Sequence, residues 1–292
     1  MALFRSQGKQ RDKQWTKCGP LTATRQRLRQ WYKNRPGVWL QDEEQQVLDS
    51  ALPDLFGYHL LQVGLSHHVD CSRASRIPHR VVMDVDLVQE VMTVREVGHE
   101  SPCPSSPVQG LAEALPFASD SLDVVLLPHT LEFTSNPHEV LREADRVLIA
   151  DGHVVILGFN PWGLWMFWRL VLAWRGKPPW CGRFLRPARL RDWLKLLGFD
   201  VVASHGYFFR PPFRHYGIMN RLRFLERLGA RLWPFFGGAY LLVARKRVAT
   251  LTPVRPRWRP RRSRVSAPEL AGNSSVTNGF TSTRRTRNKH GQ

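Results

Sequence analysis

From Val108 to Pro161 the chain reads VQGLAEALPFASDSLDVVLLPHTLEFTSNPHEVLREADRVLIADGHVVILGFNP. Leu122, Val124, Val125, Leu126 and Leu127 form a nearly unbroken apolar run, which predicts a strand covered on both faces. Val140, Leu141, Ala144, Val147 and Leu148 then recur at intervals of three and four, the spacing of a helix with one apolar face. Asn136 is placed to cap that helix, Pro137 suits its first position, and Asp151-Gly152 is expected to end it. Val154 to Leu157 predicts a second buried strand. A strand–helix–strand unit of this kind joins parallel strands and puts its loops at the carboxyl edge of the sheet, where ligands bind.

The same reading extends outward. Tyr58 to Gly64 predicts a first strand ending in Gly, and His79 to Asp84 a second ending in acid. Pro102, Pro104 and Pro107 mark a loop before a minimal third strand at Val108-Gln109. The two strands of the central unit are then the fourth and fifth. Pro187 to Leu197 predicts a helix with Gly198 just past its end, followed by a sixth strand over Phe199 to Tyr207 and a seventh over Ala239 to Ala244. Upstream, residues 1 to about 30 are polar and basic and are expected to be loosely ordered, with a short helix beginning over Arg25 to Trp31. Trp39 to Leu52 predicts an amphipathic helix with acids at its front.

Composition sets further bounds. The 292 residues are 42% hydrophobic, with 11 Trp and 15 Phe, enough for a sizeable core. Four cysteines, Cys18, Cys71, Cys103 and Cys181, form no CxxC pair, so neither a zinc site nor a disulfide framework is expected, and free thiols suit the cytoplasm. The amino terminus lacks the apolar core of a secretory signal. Val154 to Trp174 is nearly uncharged, but Gly158, Pro161 and Gly163 interrupt it, so it reads as strand, loop and helix rather than as a membrane span. Net charge is +19, and ten Arg or Lys against Glu269 alone lie between Thr250 and Gln292. That tail has no apolar period and is expected to be disordered. A solubilising role is favoured for it over weak contact with nucleic acid, because a basic run carries no sequence readout.

The central stretch resembles the second half of the class I S-adenosylmethionine (SAM)-dependent methyltransferase domain, in its small type 11 form. There, as here, a Leu-Pro-Phe entry (Leu115-Pro116-Phe117), an Asp-led strand, a helix ending Arg-Val-Leu (Arg146-Val147-Leu148) and a Gly-turned strand follow in order. The resemblance covers residues 55 to 245. It implies a Rossmann-like α/β fold, a seven-stranded sheet with helices on both faces and the last strand antiparallel between the fifth and sixth. The expected organisation is an N-terminal basic and helical extension over 1–54, the domain over 55–247 and the tail over 248–292.

The resemblance also implies SAM as cofactor and an unidentified methyl acceptor. Family members carry a G-x-G-x-G loop after the first strand; here Val63-Gly64-Leu65-Ser66-His67-His68 keeps only Gly64. The two adjacent histidines lack a carboxylate or Cys at ligand spacing and are read as polar loop, with no metal. The acid that accepts the ribose hydroxyls falls at Asp84, with Asp86 as the alternative. In the adenine loop, Gly110-Leu111-Ala112-Glu113-Ala114-Leu115, Leu111 stands where the family has an acid, leaving Ala112, Glu113 and Leu115 as the candidate contacts. After the fourth strand, His129 lies where the family lines the sulfonium end, and is a candidate base as well as a cofactor contact. The Phe159–Trp168 aromatics are candidates for an acceptor pocket, or for core. Two further readings stand beside the enzyme: a methyltransferase-fold scaffold or RNA-associated module without activity, and a dinucleotide oxidoreductase, disfavoured because no G-x-G-x-x-G follows the first strand.

Overall fold

The computed structural model describes residues 19–64, 71–85, 105–163, 165–172, 177–211, 221–222, 224–233 and 236–247. Two helices, α1 (Leu21–Tyr32) and α2 (Arg35–Ala51), precede a sheet built from β1 (His59–Val63), β2 (His79–Asp84), β3 (Ser105–Gln109), β4 (Leu122–Pro128), β5 (Leu148–Phe159), β6 (Phe199–Tyr207) and β7 (Ala239–Lys246). Helix α3 (Pro137–Val147) links β4 to β5; α4 (Trp165–Leu172) and α5 (Pro187–Leu196) precede β6, and α6 (Phe224–Leu232) precedes β7.

Strand order is β3-β2-β1-β4-β5-β7-β6. The first five strands pair parallel, whereas β7 is antiparallel to both β5 and β6. This is the seven-stranded α/β sheet that the resemblance implied. The chain order reverses between β1 and β4, and ligands of open α/β sheets bind at the carboxyl ends of the strands flanking such a reversal.

Alternation along the central strands sorts their side chains into two layers. Leu60, Val124, Leu126, Val155 and Leu157 face Leu28, Tyr32, Leu40 and Leu48 of α1 and α2, while Leu61, Val125, Leu127, Val154 and Ile156 face Val140, Leu141 and Ala144 of α3 and Leu190 and Leu194 of α5. Helices therefore cover both faces, and the N-terminal pair is one of the covers.

Four local expectations are corrected. Residues 21–32 form a helix packed into the core, because Leu28 and Tyr32 bury completely against the sheet. Strand β3 begins earlier than Val108 and includes Pro107, which an edge strand tolerates because one side of its backbone needs no partner. Helix α3 ends at Val147, and β5 starts at once; Asp151, at φ 63°, and Gly152 form an irregularity inside that strand, where the β4 register shifts between Leu122 and Val124. The helix end is instead tied down from β7, whose Lys246 Nζ donates to the carbonyls of Asp145 at 2.7 Å and Leu148 at 2.8 Å. Finally, Cys71 is a buried free thiol, but Cys181 is disulfide-bonded. With no CxxC pair in the chain, no spacing motif marks that bond.

No helix among the described residues is long and apolar enough to cross a membrane. The basic tail over 248–292, His67, His68 and Asp86 lie outside the described residues.

Candidate functional site

Gly64 closes β1 with φ 85°, a left-handed conformation that favours glycine. Its N–H donates to the Met83 carbonyl at 2.7 Å, which fixes the turn against β2. A Cβ added there would fall 2.2 Å from Arg25 Nη1 and 3.2 Å from Thr130 Oγ1. The single glycine left from the family loop is therefore needed twice, for its backbone angle and for the space it leaves.

Because Val63 pairs with Met83, the turn at Gly64 stands beside Asp84, which ends β2 and is 2% exposed. One carboxylate oxygen of Asp84 accepts from Arg29 Nη2 at 2.9 Å and the other from the Val85 N–H at 2.7 Å. Burial alone raises a carboxyl pKa; here the nearby Arg25 charge and the Arg29 hydrogen bond outweigh it and hold Asp84 below its ordinary value. Asp84 is thus a fixed, ionised acceptor at the reversal point of the sheet.

Both arginines come from α1. Arg25, Leu28, Arg29 and Tyr32 follow helical spacing and all are buried, so two guanidinium groups share the stripe that faces the sheet. Arg25 is 3% exposed, and its Nε and Nη1 make no hydrogen bond among the described residues. Burial pulls its pKa below the ordinary value, partly offset by the charges of Asp84 and Glu132. An orphaned guanidinium aimed at a glycine turn is a donor set for an anion such as a carboxylate.

Past β4 the chain turns at His129, which adopts φ 47°, a strained angle for a residue with a side chain. Its ring is fully buried, lies 4.0 Å centroid to centroid from Phe159, and sets Nε2 2.8 Å from Glu44 Oε1 of α2. Nδ1 faces Glu132 Oε1 at 3.6 Å. Burial disfavours the cation, but Glu44 and Glu132 reverse the outcome and raise the pKa to about 9. Glu44 also accepts from the Tyr32 hydroxyl at 3.1 Å, and Glu132 from the Phe159 N–H at 2.7 Å. An imidazolium at neutral pH has no lone pair to take a proton, so His129 does not suit the base role expected of it; it ties α2 to the ends of β4 and β5.

In the loop after β3, Ala112 and Leu115 are buried beside Met83, while Leu111 is 50% exposed. Glu113 is occupied elsewhere. Its Oε1 accepts from Thr134 Oγ1 at 2.8 Å, from the Asn136 N–H at 2.9 Å and from the Ser135 hydroxyl. Burial raises the Glu113 pKa, and these bonds overcome it and lower the group below its usual value. Glu113 therefore tethers the entry to α3, whose Asn136 makes no side-chain capping bond. Toward the acceptor side, Phe159 and Trp165 are fully buried and stacked 5.6 Å apart, which makes them core, whereas Trp162 and Phe167 are exposed.

Gly64 and Asp84 are thus brought together, Ala112 and Leu115 line the apolar floor beyond β2, and Glu113 and His129 are held in other bonds. Arg25, Arg29, Glu44 and Tyr32 were not foreseen from sequence. The signal available was arginines at i and i+4 on the stripe of Leu28 and Tyr32 in TRQRLRQWY, a placement that solvated cations do not need.

Comparison with known proteins converges on one family. The model of a methyltransferase domain matches residues 61–156. The Escherichia coli protein YafS is 37% identical over 201 residues, covering 68% of this chain and 72% of its own length. A Mycobacterium tuberculosis protein, Rv2003c, is 36% identical over 104 residues, 35% of this chain and 36% of its own. Among solved structures, a SAM-dependent methyltransferase of Thermotoga maritima shares the fold with TM-score 0.53 and 17% identity, over 71% of this chain and 89% of that one. A chain from a Haloferax volcanii complex of the Trm112 methyltransferase activator with a methyltransferase aligns with TM-score 0.54 and 17% identity, over 77% of this chain and 98% of that one. With its sheet order, its Leu-Pro-Phe entry and a curated relative matched over most of its length, the chain belongs to the class I SAM-dependent methyltransferase family.

Proposed function

We propose that this chain holds SAM between the Gly64 turn, Asp84 and Arg25 and catalyses transfer of its methyl group to an acceptor. The observation that carries this reading is the convergence of a side-chain-free turn, an ionised buried acid and a buried guanidinium with orphaned donors on the carboxyl edge between β1 and β2. When bound, SAM supplies a methyl group activated by a positively charged sulfur.

Each residue then has a task set by its chemistry. Arg25 offers Nε and Nη1 to the carboxylate of the methionine portion. Asp84 accepts from the ribose hydroxyls, while Arg29 keeps the carboxylate oriented and charged. Leu111, Ala112 and Leu115 offer apolar contact to adenine in place of the missing acid. His129 serves as a positioning residue through Glu44 and Glu132. Methyl transfer from a sulfonium needs alignment and charge complementarity above all, so a fixed frame without a free base is sufficient.

Calorimetric titration with SAM and S-adenosylhomocysteine tests the assignment. Wild-type protein should bind both, and Asp84→Ala should weaken them by about 2–4 kcal/mol through loss of charge-assisted bonds. Equal affinity in the wild type and Asp84→Ala would remove Asp84 from the site.

A further inference from the structure

On the side of α4 away from Trp165, Met166, Phe167 and Leu170 lie in solvent, Phe167 at 67% and Leu170 at 78% exposure. At the end of α6 and just past it, Leu232, Trp233 and Phe236 are likewise 55%, 56% and 51% exposed. The segments that carry them meet just before α4. Gly163 lies against Gly237, so that an added Cβ would fall 2.3 Å from its carbonyl oxygen, and Trp165 Nε1 donates to the Arg210 carbonyl at 3.1 Å. Large apolar side chains exposed in two clusters on segments that meet exceed the scattered exposure of an ordinary surface.

The sequence of these segments is basic: residues 161–177 hold three Arg or Lys and no acid, and residues 205–236 hold six arginines against Glu226 alone. Arg210 is buried and paired with both Glu43 and Glu226, so it adds no free charge. Glu226 is already taken, accepting from Arg210 Nε at 2.8 Å and the Phe209 N–H at 2.9 Å. Arg221, Arg231 and Lys177 are exposed.

We infer that this face docks on an anionic lipid surface. Short helices presenting Trp, Phe and Leu with arginines beside them and no free acid are the composition of an element that lies in the headgroup region without spanning it. A second copy of this chain would bring the same positive charges together, which opposes self-association through this face. Nucleic acid would be attracted by the charge and could stack on Phe167 and Trp233, but it would leave aliphatic Met166, Leu170 and Leu232 in water, whereas a lipid surface buries them together with the aromatics. Helix α4 starts directly after β5 reaches the carboxyl edge of the sheet, so docking would hold that edge near the bilayer.

The test is flotation of the full-length protein with vesicles of phosphatidylglycerol or of phosphatidylcholine. Binding should be confined to phosphatidylglycerol, weaken in about 0.5 M salt, and shift the tryptophan emission to the blue as Trp233 leaves water. The double variant Phe167→Glu, Leu170→Glu, checked by circular dichroism and by unchanged melting, should bind at least about tenfold less, and Arg231→Glu should fall in the same direction. Undiminished binding by the double variant would assign any lipid affinity to the basic tail and overturn the inference. So would absence of binding to phosphatidylglycerol, or a dimer or RNA affinity in the wild type that the double variant loses. These outcomes are independent of SAM binding, which both variants should retain.

Discussion

The β4–α3–β5 unit and the N-terminal pair α1–α2 both pack on the central strands, yet they specify their places in different ways. In the first, the code is local: apolar runs of strand length flank a helix whose buried face recurs at three and four residues. In the second, the buried stripe mixes Leu28, Leu40 and Leu48 with Arg25, Arg29, Tyr32 and Glu44, whose burial depends on partners far along the chain. Arg29 meets Asp84, and Glu44 meets His129, 55 and 85 residues away. A polar stripe gains stability only once its partners are in place, so its pattern alone looks like a solvated surface.

The comparison can be broken most forcefully at Glu44. If α2 is as much a part of the core as α3, Glu44→Ala leaves the His129 imidazolium and the Tyr32 hydroxyl without their main partner and should lower stability by about 3–5 kcal/mol. Leu141→Ala in α3 should cost about 2–5 kcal/mol by cavity formation, so the two should be of similar size in urea unfolding. A loss under about 1 kcal/mol for Glu44→Ala would make α2 a surface appendage.

A pH series sharpens the same point. The His129 pKa is raised in the folded chain to about 9 from an ordinary 6.5, so the folded state holds the proton more tightly. The stability this contributes is full below about pH 6.5 and is lost as pH rises through about 9, a change of roughly 3 kcal/mol. Asp84 runs the other way: its lowered pKa contributes stability above its ordinary value of 3.8 that disappears as pH falls through the folded value. Glu44→Gln should flatten the alkaline slope and leave the acidic one in place.

The smallest effect separates two roles for one residue. Glu113 bonds the entry to α3, so Glu113→Ala should lower stability by about 1–2 kcal/mol, as loss of a helix cap does, with S-adenosylhomocysteine affinity unchanged. A loss of affinity without a loss of stability would return Glu113 to the adenine pocket.

Sequence reasoning reached the sheet, its strand order through the family resemblance, and the glycine and acid that end β1 and β2. Those features are written in neighbouring residues: a turn needs Gly64 where φ is positive, and a strand-end acid marks the edge. It did not reach Arg25, Arg29 or Glu44, because helix-borne charges read as solvent-facing until the sheet beneath them is known. It placed Glu113 and His129 by the cofactor from their position; the bonds of Glu113 to the entry of α3 and of His129 to Glu44 of α2 could not be read from neighbouring residues. The aromatic run after β5 divides by burial, with Phe159 and Trp165 inside and Phe167 outside, a split that helical spacing alone leaves open.

The central claim is that the N-terminal helix completes the cofactor site, and Arg25 tests it most directly. Calorimetry should compare S-adenosylhomocysteine with 5′-methylthioadenosine, which lacks the amino-acid carboxylate, on wild-type and Arg25→Gln proteins. The account predicts that Arg25→Gln weakens S-adenosylhomocysteine by about 1.5–3 kcal/mol, the worth of a hydrogen bond to a charged group, and leaves 5′-methylthioadenosine unchanged. Equal binding of S-adenosylhomocysteine by both proteins would contradict it and leave α1 as a cover for the sheet.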